Sequence, residues 1–213
     1  MDGILFYPYL CTKRNIRAMN NIKSVCVYSA SSTELDKAYL EAATCLGKVL
    51  AERRLTLING AGRTGLMGAA SDAALAAGGR VVGIIPQFMV DRGWHHPQLT
   101  ELIVTQSMHE RKELMAEKSD GIIAMPGGCG TLEELMEIIT WKQLGIYRKP
   151  IVILNTRGYY NSLINMLDTA IAERFMRQEH HRIWQVASSP EEAVELLFNS
   201  ENWNRDPDSL ATI

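Results

Sequence analysis

A short apolar run followed by a helical stretch recurs along nearly the whole chain, and this alternation constrains the fold more than any other feature. "IKSVCVY" (22–28) is rich in β-branched residues and leads into a helical stretch over 34–53, where Leu35, Tyr39, Ala42, Leu46 and Leu50 fall near helical spacing. "LTLIN" (55–59) precedes an alanine-rich helix, "TGLMGAASDAALAAG" (64–78), which Gly78 and Gly79 stop. "RVVGIIP" (80–86) and "ELIVT" (101–105) read as strands, and "MHERKELMAEKS" (108–119) as a helix. "DGIIAM" (120–125) reads as a strand leading into the helix "TLEELMEIITWKQL" (131–144). "KPIVILN" (149–155), "YYNSLINMLDTAIAERF" (159–175), "RIWQVA" (182–187) and "SPEEAVELLF" (189–198) continue the alternation to its end.

Several of these strands are apolar on both faces, as strands covered by helices on each side must be. The pattern predicts an α/β fold: a Rossmann-like, doubly wound parallel sheet in a single domain over 22–198. Residues 1–21 read as an N-terminal arm. Their apolar run, Ile4 to Leu10, is too short to span a bilayer and is interrupted by Pro8. The basic residues follow that run instead of preceding it, unlike a signal peptide. Residues 199–213 read as a polar tail.

The 213 residues are 46% hydrophobic, enough for a sizeable core, and the formal net charge of -2 offers no basic field to nucleic acid or an anionic membrane. Cys11, Cys26, Cys45 and Cys129 form no C-x-x-C pair, so neither a disulfide framework nor a zinc knuckle is expected, and a cytoplasmic setting fits.

In doubly wound sheets ligands bind beyond the carboxyl ends of the strands. Three stretches fall there: "SASS" (29–32), "NGAGRTGLMG" (59–68) and "PGGCGT" (126–131). The third packs three glycines between a strand and a helix. A helix N-terminus presents unpaired N–H groups and a positive partial charge, and glycine lets a phosphate approach the backbone closely. Thr131 adds a hydroxyl. The plain alternative is a tight turn with a helix cap.

Two lookalikes fail. "PGGCGT" lacks the Gly-Lys-Ser/Thr ending of a P-loop. "GAGRTG" (60–65) matches G-x-G-x-x-G, but at the second strand, and the acidic residue expected about twenty positions later is missing from "VVGIIPQ". NAD binding is not expected.

Single residues carry competing readings. Thr131-x-x-Glu134 is a capping box as well as a place for a catalytic carboxylate, and the same spacing recurs structurally at Ser189 to Glu192. Cys129 at a helix start suits a thiolate, but no histidine lies nearby in sequence. Arg111 is placed to aim a guanidinium at a phosphate or base, while Glu110, Lys112 and Glu113 read as a solvated helix face. His95, His96 and His109 lack metal-ligand spacing, so no metal is expected. Trp141, Leu144 and Ile146 suit either a core or a subunit interface.

"PGGCGTLEE" resembles the P-G-G-x-G-T-x-x-E motif of the LONELY GUY (LOG) family, and "SMHERKELM" resembles its M-H-x-R-K motif. "GRTGLMG", "ITWKQLGIYRKPIVILN" and "GYYNSL" extend the likeness from about Ile22 to Phe198. The resemblance implies a phosphoribohydrolase that releases free base and ribose 5-phosphate from cytokinin riboside 5′-monophosphates, with AMP as a substrate of bacterial members. It implies no cofactor. An older lysine decarboxylase label for such proteins finds no pyridoxal phosphate lysine motif here. By position, Arg111 and Glu134 become the catalytic pair, and Gly127, Gly128, Gly130 and Thr131 the phosphate loop. Ser31, Gly62, Gly65, Met67 and Lys112 fall to the nucleotide site. A dimer or larger assembly with sites near the interface is implied. Two positions depart from the family: "SASS" stands for a more usual Cys-Gly-Ser-Ser, and Arg157 stands where an acidic residue is common.

The chemistry is coherent. Glycosidic cleavage builds positive charge on the ribose, which a carboxylate can stabilise while it binds ribose hydroxyls and orients water. The alternative from another class is a nucleotide carrier or sensor without turnover.

Overall fold

In the computed structural model, which describes residues 21–201 and 203, β1 (Ser24–Tyr28) runs through the centre of a seven-stranded sheet. The expected arm and most of the expected tail lie outside the described residues. From β1 the chain winds outward through α1 (Lys37–Glu52), β2 (Thr56–Asn59), α2 (Gly65–Ala76), β3 (Val81–Pro86), the short α3 (Gln87–Val90) and β4 (Glu101–Thr105). It then returns through α4 (Met108–Lys118) to β5 (Gly121–Ala124) on the other side of β1. From there it winds out the opposite way through α5 (Cys129–Gln143), β6 (Ile151–Leu154), α6 (Asn161–Ala172), β7 (Gln185–Ala187) and α7 (Pro190–Asn199). The strand order is β4-β3-β2-β1-β5-β6-β7 and every pairing is parallel. This is the doubly wound α/β sheet that the alternation predicts.

Burial explains the residue choice. Every residue of β3, β5 and β6 is buried, while the edge strands β4 and β7 are partly exposed. Successive side chains of a strand point to opposite faces. Cys26 and Tyr28 of β1 join Met115, Leu135 and Ile138 from α4 and α5. Val25 and Val27 join Leu46, Ala70 and Val194 from α1, α2 and α7. Edge strand β4 carries Glu101, which pairs with Arg80 and keeps that border polar.

Helix starts follow local chemistry. Asp36 accepts from the Ala38 amide before α1. Ser107 accepts from the Glu110 amide before α4, and the Glu110 carboxylate returns to the Gln106 amide at 2.7 Å. Glu110 is therefore part of a cap and not merely a solvated face. Ser189 caps α7 as expected, but Glu192 returns to Ser188. At α5 the capping box does not form: the helix starts at Cys129 with Gly128 as its cap residue and no side-chain cap bond. Thr131 is already inside the first turn, so the Glu134 side chain is free for another partner.

Candidate active site

The chain reverses its winding direction between β1 and β5, and in such sheets a crevice opens beyond the strand ends at this point. A cleft of about 670 Å³ lies there, within the usual range for small-molecule sites. The loops after β1, β2 and β5 line it together, through Ser29 to Ser32, Gly60 and Gly62 to Thr64, and Gly128, Gly130 and Thr131.

Arg111 and Glu134 meet in this cleft. Arg111 Nη1 donates to Glu134 Oε1 at 2.8 Å, and Nε donates to the Ile84 carbonyl at 3.1 Å. Arg111 is 6% exposed and Glu134 8%. Burial raises the Glu134 carboxyl above its usual value, and the Arg111 charge and hydrogen bond oppose that rise. Gly60 makes room for the guanidinium, since a Cβ there would lie 1.9 Å from Arg111 Nη2. Nearby, burial pushes the Cys26 thiol and the Tyr28 phenol well above their ordinary values, so both stay neutral close to the pair.

The loop after β5 divides its labour. A Cβ on Gly128 or Gly130 would meet nothing within 4 Å, so both glycines face open space in the cleft. Gly127 is buried instead. A Cβ there would lie 2.2 Å from Thr131 Oγ1, and its carbonyl accepts from the Tyr159 hydroxyl at 2.6 Å. Thr131 lines the cleft and Gly127 does not. The first-turn amides of α5, without a side-chain cap, point an unsatisfied positive dipole end at this space.

The loop after β2 is held from both sides. Met67 curls back so that its Sδ accepts from the Gly62 amide at 2.9 Å. Gly65 has φ +64°, and a Cβ there would strike the Ser32 carbonyl at 2.5 Å. Gly65 thus lets the β1 loop lie against α2, and it does not line the cleft. Thr64 Oγ1 and the Met67 amide donate to the Ser31 and Ala30 carbonyls. Ser31, Gly62 and Met67 line the cleft. Lys112 does not: it bonds Glu133 and, at 3.0 Å, Glu137, and so ties α4 to α5. Arg157 does not line the cleft either. It pairs with Asp36 and stacks over Tyr39, clasping the turn before α6 to α1.

The other end of the cleft is apolar, with Met67, Ile85, Met89, Trp94 and Met108. Met89 and Trp94 come from the segment between β3 and β4, which carried no motif. An isolated bridge from His95 to Gly62 and a 2.9 Å contact from His96 Nε2 to Asp72 hold that segment in place. No lysine is among the lining residues. Among the described residues no group of three or more His, Cys, Asp or Glu side chains could hold a metal ion, and no helix is long and apolar enough to cross a membrane.

A family model described as "possible lysine decarboxylase" matches residues 67–197. A cytokinin riboside 5′-monophosphate phosphoribohydrolase of Arabidopsis thaliana is 44% identical over 178 residues, covering 84% of this chain and 78% of that one. A second from the same plant is 42% identical over 193 residues, covering 91% and 88%. The LOG phosphoribohydrolase of Oryza sativa subsp. japonica is 40% identical over 184 residues, covering 86% and 75%. Among solved structures, a molybdenum cofactor binding protein from the phototrophic bacterium Rippkaea orientalis aligns with a TM-score of 0.63 at 25% identity, covering 82% of this chain and 94% of that one. The molybdenum cofactor carrier protein of Chlamydomonas reinhardtii, at 23% identity and a TM-score of 0.62, covers 82% and 94% and shares the fold. With identity above 40% to such relatives over most of its length, the chain belongs to the LONELY GUY family of cytokinin riboside 5′-monophosphate phosphoribohydrolases.

Proposed function

We propose that this protein hydrolyses the N-glycosidic bond of adenosine 5′-monophosphates, including N6-modified ones, to free base and ribose 5-phosphate. The observation that carries the reading is a buried arginine–carboxylate pair in the same cleft as an uncapped helix N-terminus. The 5′-phosphate rests on the α5 amides, Gly128, Gly130 and the Thr131 hydroxyl. The base and any N6 substituent lie towards Met89, Trp94 and Met108. The ribose is then held between them, beside Glu134.

The bond from C1′ to the base nitrogen breaks with its electron pair leaving on the base. Glu134 stabilises the positive charge that grows on the ribose and orients the water that attacks C1′. Arg111 holds Glu134 in place and counters negative charge on the leaving base or the phosphate. The base takes up a proton and the water loses one, so the products are neutral base and ribose 5-phosphate. The family's cytokinin-activating role and AMP nucleosidase activity are both instances of this reaction.

The test compares initial rates of adenine release from AMP and adenosine. Two or three charge-assisted hydrogen bonds to the phosphate, each about 1.5–3 kcal/mol, predict a preference on the order of 10³-fold. Adenosine cleaved within tenfold of AMP contradicts the assigned phosphate site.

A carrier that binds such a ligand without turnover is the second reading, favoured by the likeness to the Rippkaea protein. Absence of adenine from protein saturated with AMP, with binding intact, selects it. A homodimer in the cytoplasm completes the proposal. Met108, Met136, Leu144 and Ile146 are exposed apolar residues on or just beyond α4 and α5, whereas Leu135, Ile138 and Ile139 are in the chain's own core. Cys26, Cys45 and Cys129 are free thiols. Light scattering at micromolar concentration is expected to give twice the chain mass, and a monomer contradicts the dimer.

A further inference from the structure

Four consecutive carbonyls lie where β5 passes into α5, and each already accepts a hydrogen bond. The Met125 carbonyl accepts from the Tyr160 hydroxyl at 2.7 Å, and that of Pro126 from the Ala30 amide at 3.3 Å. The Gly127 carbonyl accepts from the Tyr159 hydroxyl at 2.6 Å, and that of Gly128 from the Leu132 amide at 3.0 Å. Two of these donors are neighbours in "GYYNSL" (158–163), a stretch to which the reaction above gives no part. The two tyrosine rings meet edge to face at 5.0 Å, and Tyr39 of α1 meets the Tyr159 ring at 6.1 Å.

The two tyrosines hold peptides of different kinds. In a trans peptide the C=O and the N–H point in opposite directions. Tyr159 draws the Gly127 carbonyl towards itself, so the Gly128 N–H of the same peptide is turned away from Tyr159. Tyr159 does not line the cleft and Gly128 does. The Gly128 N–H has no partner among the described residues, and a Cβ on Gly128 would meet only open space. Tyr160 holds the peptide between Met125 and Pro126, which has no N–H to aim. A peptide between two glycines turns over at little steric cost, because both residues tolerate either sign of φ. Turned over, it would offer an anion a carbonyl oxygen in place of a donor.

We propose that the Tyr159 hydroxyl is a positioning group for the anion site: it fixes the Gly127–Gly128 peptide so that the N–H serves the 5′-phosphate and the carbonyl is held away. The inference rests on the phosphate assignment made above. Tyr159 acts through the loop and touches neither the phosphate nor the reacting atoms.

The experiment measures kcat/KM for AMP and adenosine, and the dissociation constant of ribose 5-phosphate, with the wild type, Tyr159→Phe and Tyr160→Phe. Both variants keep the ring and remove one hydroxyl. Tyr159→Phe is expected to lose about tenfold on AMP and on ribose 5-phosphate, the scale of one weakened hydrogen bond to a charged group, and to lose much less on adenosine. Tyr160→Phe is expected to melt at a lower temperature, because a buried bond is lost, yet to keep the wild-type preference for AMP over adenosine within about twofold. An unchanged preference and an unchanged ribose 5-phosphate affinity in Tyr159→Phe overturn the inference and leave the function intact. An equal loss of preference in both variants also overturns it, since the loop then needs only its packing. If AMP binds without adenine release, the hydrolase reading fails and the ribose 5-phosphate constants decide the inference alone. If the wild type neither prefers AMP nor binds ribose 5-phosphate, the phosphate assignment fails and the inference falls with it.

Discussion

Burial and Arg111 pull on Glu134 in opposite directions. Burial is the larger influence and raises its pKa, while the guanidinium at 2.8 Å opposes the rise. The carboxylate must be ionised to stabilise an oxocarbenium-like state. Activity should therefore be lost as pH falls through this raised pKa, which places the acid limb of kcat/KM above the ordinary carboxylate value of 4.5. The substrate phosphate titrates near 6 and adds its own limb. Glu134→Gln separates the two, because the phosphate limb persists in the residual activity and the carboxylate limb disappears. The limb that Glu134→Gln abolishes, if it lies at or below 4.5 in the wild type, contradicts the role given to burial. Arg111 was legible from its motif, but its support was not. Gly60 and the Ile84 carbonyl, which seat the guanidinium, are ordinary loop and strand residues until the fold brings them beneath it.

Elements hold the site through close backbone approaches as much as through side chains. Gly47 in α1 lies against α2, where a Cβ would come 2.1 Å from the Ala70 carbonyl. Alanine usually favours a helix over glycine by about 1 kcal/mol. Here the added methyl must push two helices apart, which costs about 1–3 kcal/mol or more, so the packing loss outweighs the propensity gain. Gly47→Ala is expected to lower the melting temperature by several degrees, and a rise contradicts the close packing. This contact shows the limit of sequence reading at this scale. The strands and long helices follow from hydrophobic period, and their ends differ from expectation by a few residues. α5 is the instructive exception. Its Thr131-x-x-Glu134 spacing is that of a capping box, yet the helix begins two residues earlier and the carboxylate turns to Arg111. α3 and the segment carrying Met89 and Trp94 have neither period nor motif. Their place over the cleft depends on contacts to Gly62 and Asp72, far off in sequence.

For the molecule as a whole, the reversal of winding between β1 and β5 decides where function sits. Two separate core layers, one on each face of the sheet, hold the strands so that their loops meet above that reversal. The alternation of elements, the three loop motifs and the family likeness were all legible from residues close in sequence. The division of labour within the site was not. Lys112 braces α4 against α5, Gly65 and Gly127 make room for neighbours, and Ser29, Arg63, Met89 and Trp94 line the cleft, because these assignments depend on which residues meet in space. The central claim is that the buried carboxylate of Glu134 does chemistry at the ribose beyond its structural pairing with Arg111. The most direct test is the turnover number for adenine release from saturating AMP by Glu134→Gln, which keeps the side chain's shape and removes its charge. A fall of roughly 10²-fold or more with AMP binding retained is the predicted result. Near-normal turnover in the glutamine variant would contradict it.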